Sequence, residues 1–323
     1  MTKKNIAYLL AAILILVSLF VLIRDDNLSL ITKVSLGEFF ISVIVALILF
    51  FLSGCKIAYL SSSQLGVKLG FADIVTLPMA MNFWSYVIPK GGMLYSTVFL
   101  KAKYGIKAAH GFSITIYIYF MVVVLAGFFG LYYTISRGFL FSLGALVSVV
   151  LILSPFLIKL LDMILAVLPL GKLAFAKNVQ SIIHTIISNS TTLWSNVTAT
   201  TVIFIMTLGH IILRVFWFYW AVHVFEMDVP LIALIELALI AQLSIIIRFI
   251  PGNIGLNELI SGGALSILGG TMGGGILISL FTRFSALVLT FTIGSLSVIV
   301  NVKHFNMESI KTMFAAIKKS DQQ

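Results

Sequence analysis

Six long apolar runs constrain what this chain can fold into more than any other feature of its sequence. A helix rises ~1.5 Å per residue, so about 20 apolar residues cross the hydrocarbon layer of a bilayer. Within lipid, only helices and closed barrels satisfy their backbone hydrogen bonds, and a barrel shows short alternating segments where these runs are continuous. The sequence therefore predicts an all-α polytopic membrane protein. The runs are 6–23, 38–60, 110–135, 141–168, 198–223 and 273–300.

The composition excludes the two common classes of water-soluble chain. Of the 323 residues, 60% are hydrophobic and 10% are charged, and the mean hydropathy is +1.14. A soluble domain carries about 25% charged residues, and a disordered chain combines low hydrophobicity with high charge. The net charge of +10 comes from lysines beside the apolar runs, which is typical of cytoplasmic loops and argues against nucleic-acid binding. The single cysteine, Cys55, and the scattered histidines form no metal-binding pattern, so we expect neither a metal nor a cofactor.

Two further apolar segments, 73–100 and 231–270, are interrupted by proline and glycine. The first break is Ile88–Gly92, and the second break is Ile250–Gly255. Proline lacks an amide hydrogen, and glycine adopts backbone angles that end a helix. A kinked but continuous helix is the alternative, but a kink needs one proline and no glycines. We therefore predict that each segment is a helix, an unwound turn and a second helix.

The two breaks occupy matching positions in the two halves of the chain, which indicates an inverted repeat. Paired interruptions of this kind are the best sequence indication of a transporter-type site near the middle of the bilayer. We expect a single membrane domain, 1–323, with pseudo-repeat halves at about 37–168 and 198–300. Between and after these halves lie an amphipathic connector, 172–197, and a basic tail, 302–323, each either a surface helix or a loop.

The lysine positions predict the topology, because cytoplasmic loops carry an excess of lysine and arginine. We expect a multi-pass protein of the cell membrane with both termini in the cytoplasm. Six full transmembrane helices and two re-entrant hairpins, entering from opposite faces, would then form the inverted repeat. The alternative topology has eight spans, with 231–249 and 255–270 as two crossings. Both topologies place the C-terminus in the cytoplasm, so the lysine positions do not distinguish six spans from eight. One cytoplasmic region of this topology carries Lys56, Lys68, Lys90, Lys101, Lys103 and Lys107.

Charged side chains within apolar segments are costly in lipid and mark candidate functional sites. Glu258 follows the second break, where it caps the next helix or has a functional role, either as a buried partner of Arg283 or as a proton-coupled carboxylate. The cap and the functional role are compatible. Arg283 in turn either faces the bundle interior and binds an anion or extends outward to the interface. His210 and Arg214 lie one turn apart, and either bind a ligand or pair with a neighbouring helix. Arg248 directly precedes the second break and is an interfacial anchor if there are eight spans.

The breaks themselves predict a site for an anion. The N-terminus of a helix presents unpaired N–H groups and a partial positive charge. Helices beginning near Met93 and Leu256 would aim such termini at whatever lies between them. Lys90 and Arg283 add full positive charges, which Glu258 partly offsets. We therefore expect an anionic group, such as the phosphate of a lipid, between the breaks.

Two motifs carry a resemblance to a known family. The second break continues as Ile-Pro-Gly-Asn-Ile-Gly-Leu-Asn-Glu over 250–258, and Gly269, Gly270, Arg283 and Gly294 follow it. The first motif has Asn82, Pro89, two glycines and then a basic run beginning at Lys101. This pattern resembles the lysylphosphatidylglycerol synthase transmembrane-region family, a flippase-like domain also found in multiple peptide resistance factor proteins. The motif residues that we assign to lipid or anion binding are Asn82, Lys90, Gly91, Gly92, Lys101, Pro251, Gly252, Asn253, Gly255 and Glu258.

The resemblance implies a stand-alone, flippase-like protein that moves an anionic or phosphate-bearing lipid between leaflets. By that resemblance the lipid is an aminoacyl-phospholipid, a polyprenyl-phosphate or a glycolipid. The alternatives are a membrane-embedded transferase, or an accessory subunit of a glycosyltransferase or a lipid synthase. We favour the translocase over an enzyme, because no paired carboxylates and no nucleophile–base set accompany the breaks. The sequence is also compatible with a homodimer.

Overall fold

The computed structural model describes residues 14–18, 20–23, 30, 32–137, 196–244 and 250–301. Nine helices of seven residues or more follow the short helical pieces at 14–18 and 20–23, and this part of the chain has no strand. The helices are α1 (Leu36–Leu65), α2 (Phe71–Val87), α3 (Gly91–Tyr104), α4 (Ala108–Arg137), α5 (Val197–Val224), α6 (Leu231–Ser244), α7 (Leu256–Ile267), α8 (Met272–Leu289) and α9 (Ser295–Asn301).

Four helical stretches in the described part are long and apolar enough to cross a membrane. They confirm four of the predicted runs and, with the further apolar helices, the all-α polytopic class. The other two runs fall wholly or partly outside the described residues, as do the connector 172–197 and the tail 302–323. The sidedness of the termini, the re-entrant geometry and the inverted repeat stay predictions. The four stretches are Leu36–Leu65, Ala108–Phe129, Val197–Val224 and Met272–Asn301.

Local sequence signals set the ends of α1. Ser35 and Glu38 form a capping box, in which the Ser35 hydroxyl accepts from the Glu38 amide at 3.2 Å and Glu38 Oε2 accepts from the Ser35 amide at 2.8 Å. Gly66 ends the helix in the left-handed conformation, at a φ of 65°. The resulting 30-residue helix contacts α2, α4, α5 and α8, so it packs against helices from both the earlier and the later part of the described chain.

The first break forms a tight hairpin of α2 and α3. Helix α2 ends at Val87 and α3 begins at Gly91, two residues before the position that we predicted. A Cβ atom on Gly91 would lie 2.3 Å from the Trp84 carbonyl oxygen, and one on Gly92 would lie 2.4 Å from that of Met81. The two glycines are therefore required because the arms of the hairpin touch backbone to backbone.

A buried carboxylate joins the far ends of the same hairpin. Asp73, in the first turn of α2, accepts from Lys103 Nζ at 2.7 Å and from the hydroxyl of Tyr104, both in the last turn of α3. The Tyr104 hydroxyl also accepts from the Gly70 amide at 2.9 Å. The basic run that follows the first break thus contributes to folding through Lys103.

The second break separates α6 from a hairpin of α7 and α8. A single turn of 3₁₀ helix, Pro251–Asn253, precedes α7, which begins at Leu256 as predicted. Close backbone contact again depends on glycine, because a Cβ atom on Gly275 would lie 2.4 Å from the Ser261 carbonyl oxygen. Both predicted interruptions are therefore real ends of helices rather than kinks.

A π-helical turn, Thr290–Gly294, joins α8 to α9 and packs against α2. The Asn82 side-chain amide donates to the Thr290 hydroxyl at 3.0 Å. A Cβ atom on Gly294 would lie 2.7 Å from the Met79 carbonyl oxygen. Single π turns within helices are rare and occur often at functional sites. This one brings the last described helix against the hairpin of the first break.

Candidate functional site

A cavity of about 270 Å³ lies between the helices of the two halves. Helices α1 to α4 contribute one part of its wall, and α5 to α8 with the second break contribute the other. Its volume is slightly below the ~300–1,000 Å³ of drug-sized ligand sites. A group smaller than a typical drug molecule fits this space.

The last turn of α2, just before the first break, meets the second break beside this cavity. Tyr86, in the last turn of α2, packs its ring against Gly252 of the second break, and both residues line the cavity. A Cβ atom on Gly252 would lie 2.2 Å from Cδ1 of Tyr86. Gly252 also has a φ of 62°, which L residues rarely adopt. Glycine at this position therefore provides both the turn of the second break and its close contact with α2.

Gly252→Ala is expected to destabilise the fold, because the new methyl group meets the Tyr86 ring and the left-handed backbone adds about 1–2 kcal/mol of strain. Adding Tyr86→Ala should recover the steric part of the loss and leave the backbone part. The measurement is the midpoint of thermal unfolding in detergent micelles.

Gly263→Ala is the matched control, because a Cβ atom there would meet nothing within 4 Å and the residue is inside α7. We expect this change to be neutral or to stabilise by up to ~1 kcal/mol, since alanine has the better helix propensity. Equal midpoints for the two alanine variants would show that Tyr86 does not pack against Gly252.

Glu258 and Arg283 form a buried ion pair that holds the second break. Arg283 Nε lies 2.6 Å from Glu258 Oε1, and the two side chains are 9% and 2% exposed. Glu258 Oε2 also accepts from the Gly255 amide at 2.7 Å. Arg283 donates in addition to the carbonyl oxygens of Gly252 and Asn253, at 3.0 and 3.2 Å. Both interpretations of Glu258 therefore hold, the helix cap and the partner of Arg283.

Arg283 does not extend outward to the membrane interface. Its guanidinium faces the cavity but is engaged by Glu258 and by the backbone of the break. The pair is neutral overall, so Arg283 is an orienting group for the second break more than a free cation. We expected Glu258 to offset the charge of Arg283 in part, and the ion pair shows how it does so.

Three basic side chains, which we call the basic cluster, line the cavity from α1 and α5: Lys56, His210 and Arg214. Lys56 is 3% exposed and His210 is 6% exposed. His210 and Arg214 lie one turn apart on α5, and Lys56 lines the same cavity from α1. The Arg214 guanidinium also lies over the ring of Trp217, 5.9 Å from its centroid. The cluster therefore concentrates positive charge at one part of the cavity wall.

Within the described residues, Lys56 forms no ion pair, and His210 Nδ1 has no hydrogen-bond partner. A buried charge without a partner costs several kcal/mol, so a protein retains one chiefly where a ligand compensates it. The residues that line the cavity in the described ranges include no aspartate or glutamate. The basic cluster can therefore accept an anionic group.

The topology prediction placed Lys56 in a cytoplasmic loop region, and the structure corrects this. Lys56 lies within α1, which continues to Leu65, and its side chain is buried against the cavity. The signal was present in the sequence, because Lys56 falls inside the predicted run 38–60. A charge inside an apolar run marks a functional candidate more strongly than it marks a loop.

Several other predicted residues lie away from the cavity. Lys90 occupies a left-handed position at the tip of the first hairpin and is exposed, and Lys101 is exposed in the last turn of α3. Pro251 and Gly255 are buried parts of the second break, and Gly91 is buried within the first hairpin. Arg248 lies outside the described residues. The predicted residues that do line the cavity are Asn82, Gly92, His210, Arg214, Gly252, Asn253 and Arg283.

The predicted anion site at the start of α3 is filled by the chain itself. The Gly91 amide donates to the Ile88 carbonyl at 2.8 Å, and the Gly92 amide donates to the Ser85 hydroxyl at 3.2 Å. At the second break, the Gly255 amide donates to the Glu258 carboxylate at 2.7 Å. The amides of Gly91, Gly92 and Gly255 are therefore not open to an anion, and the basic side chains that line the cavity supply positive charge instead.

The comparisons with known proteins identify one family. The profile described as "Lysylphosphatidylglycerol synthase TM region" matches residues 6–294. The matched range contains both breaks, the Glu258–Arg283 pair and the basic cluster. Searches of curated proteins and of solved structures give no match.

Proposed function

Since the chain belongs to the lysylphosphatidylglycerol synthase TM-region family, we propose that it binds an anionic or phosphate-bearing lipid and moves it between the leaflets of the cell membrane. The family indicates a membrane protein of lipid-modifying or flippase type. The observation that carries the finer proposal is the basic cluster, buried in a cavity between the two interrupted segments.

The phosphate of the lipid would sit against Lys56 and Arg214, with His210 as a further hydrogen-bond donor or acceptor. Hydrogen bonds between ionised groups are the stronger kind, and they compensate the burial of the Lys56 charge. The cavity holds a headgroup, so the acyl or polyprenyl chains stay in the bilayer. The exposed apolar side chains of α1, α5 and α8, such as Phe40, Ile205 and Phe284, face that lipid.

The Glu258–Arg283 pair would act on the lipid indirectly. It fixes the carbonyl groups of Gly252 and Asn253, and therefore the wall that the second break presents to the cavity. Because Glu258 is committed to Arg283 and to the Gly255 amide, it is poorly placed to act as the general acid or base of a transferase.

Reconstitution of the full chain into vesicles tests the proposal. Fluorescently labelled phosphatidylglycerol and a labelled polyprenyl phosphate are the probes, and chemical quenching of the outer leaflet gives the rate of crossing. We expect at least one probe to cross faster than in protein-free vesicles prepared in parallel. Rates equal to those of empty vesicles for both probes would refute translocation.

The same purified protein separates translocation from transfer. Incubation with activated aminoacyl and sugar donors should leave the lipid unmodified if the chain is a translocase. A modified lipid formed by the purified chain alone would instead establish the transferase. A glycosyltransferase or lipid synthase would, in our proposal, be the partner that makes or consumes the lipid.

A further inference from the structure

The cavity has a second chemical character besides its basic cluster. Around the second break its wall carries neutral amide and hydroxyl groups from four elements. The amides come from α6, the break and α7, and two hydroxyls come from α8. Gln242 and Asn253 are 4% and 2% exposed, and the Asn257 side-chain oxygen is buried without a hydrogen-bond partner in the described part of the chain. These groups, which we call the neutral polar wall, are Gln242, Asn253, Asn257, Ser261, Ser279 and Thr282.

The neutral polar wall suits hydroxyl groups. An amide presents a donor and an acceptor together, and a hydroxyl group of a ligand can satisfy both. A buried amide oxygen without a hydrogen-bond partner is costly. The Asn257 oxygen therefore marks a position where a donor group of a ligand would supply the missing hydrogen bond. Glycerol and sugars offer several hydroxyl donors, whereas a bare phosphodiester offers none.

The charges of the cavity disfavour an ammonium group. Its described lining contains basic side chains and no carboxylate, and the neighbouring Glu258 is already held by Arg283 and the Gly255 amide. Like charges brought together in a desolvated site cost several kcal/mol. An aminoacylated headgroup would place its ammonium among these cations.

We propose that the cavity selects a phosphate joined to an uncharged, hydroxyl-bearing group, and rejects headgroups that carry an ammonium. This inference rests on the proposed function and names its substrate class. The phosphate lies at the basic cluster and the hydroxyl-bearing group lies at the neutral polar wall. Such a ligand is either a phospholipid with a glycerol or inositol headgroup, or a polyprenyl-phosphate sugar.

Native mass spectrometry of the full chain, released from detergent micelles, measures this selectivity through the fraction of protein bound to each lipid. The probes are phosphatidylglycerol, a polyprenyl-phosphate glucose, phosphatidylethanol and lysylphosphatidylglycerol. Phosphatidylethanol is the matched lipid, because it keeps one phosphodiester charge and lacks the headgroup hydroxyls.

We expect lysylphosphatidylglycerol to bind at least about tenfold more weakly than phosphatidylglycerol or the polyprenyl-phosphate glucose. Phosphatidylethanol should bind several-fold more weakly than phosphatidylglycerol. Whichever of the two hydroxyl-bearing lipids binds more tightly identifies the ligand as a phospholipid or as a polyprenyl-phosphate sugar. Equal or tighter binding of lysylphosphatidylglycerol would overturn the charge selection, and equal binding of phosphatidylethanol would overturn the role of the hydroxyls.

Asn257→Asp adds a carboxylate to the cavity and should raise the binding of lysylphosphatidylglycerol relative to phosphatidylglycerol. The variant should fold, because an acidic residue in the first turn of α7 is favourable. Asn196→Asp is the control, because this exposed residue caps α5 through its side-chain oxygen and an aspartate keeps that cap. An unchanged ratio of the two lipids in Asn257→Asp would contradict the proposed position of the headgroup.

Binding and transport give separable outcomes. If no lipid crosses vesicles while the binding preference holds, translocation is wrong and the selectivity stands. If lipid crosses while lysylphosphatidylglycerol binds as tightly as the others, translocation stands and the selectivity is wrong.

Discussion

Lys56→Met is expected to slow the translocation of an anionic lipid and, at the same time, to raise the thermal stability of the protein. The variant removes a buried charge that has no ion-pair partner among the described residues, so the fold loses a desolvation cost. It also removes the charged donor to the phosphate, worth ~1.5–3 kcal/mol, which corresponds to about a 10- to 150-fold loss of rate. Opposite signs for stability and transport are the signature of a residue kept for function.

Lys68→Met is the control for this prediction, since Lys68 is exposed in the loop between α1 and α2. Its translocation rate should match that of the wild-type protein. Lys56→Arg should retain part of the rate, because the positive charge remains. A Lys56→Met protein that moves lipid at the wild-type rate would show that the phosphate does not bind at the basic cluster.

Glu258→Gln is expected to cause a larger loss of stability than any of the other substitutions. The variant leaves the Arg283 guanidinium buried without a counter-charge, among neutral carbonyl and amide groups only. Breaking a buried pair from one side costs about 3–5 kcal/mol, because the remaining charge is uncompensated. The free energy of unfolding in micelles is the quantity to measure.

Two further variants show whether the loss comes from the uncompensated charge. The double variant Glu258→Gln, Arg283→Met should recover much of the stability, since neither charge then remains. Glu226→Gln is the surface control, because Glu226 lies 3.6 Å from Lys33 and the two side chains are 78% and 56% exposed. An exposed pair contributes about 0–1 kcal/mol. Equal losses for Glu258→Gln and Glu226→Gln would contradict a structural role for the buried pair.

The interruptions of the helices could be predicted because proline and glycine act locally. Pro89 and Pro251 stand at the breaks that the structure shows, and Leu256 begins α7 as expected. The pairing of Glu258 with Arg283 was one of two alternatives, since each charge needed a partner in an apolar segment. These inferences depend on neighbouring residues and on the cost of charge in lipid.

The contacts between distant segments could not be predicted in the same way. Tyr86 and Gly252 are far apart in sequence, and neither motif indicates that the ring would cover the glycine. The Ser85 hydroxyl accepts from the amide of Gly92 because the two helices of the first hairpin pack closely. This contact depends on how α2 and α3 are aligned along one another, which the sequence does not specify. Local patterns therefore located the breaks, and only tertiary packing determined which charges face the cavity.

A cryo-electron microscopy structure of the full chain in nanodiscs that contain phosphatidylglycerol would show directly where the lipid phosphate binds. We expect phosphate density ~3 Å from Lys56 Nζ. Density for headgroups confined to the outer surface of the bundle, with only solvent beside Lys56, would contradict lipid binding in this cavity.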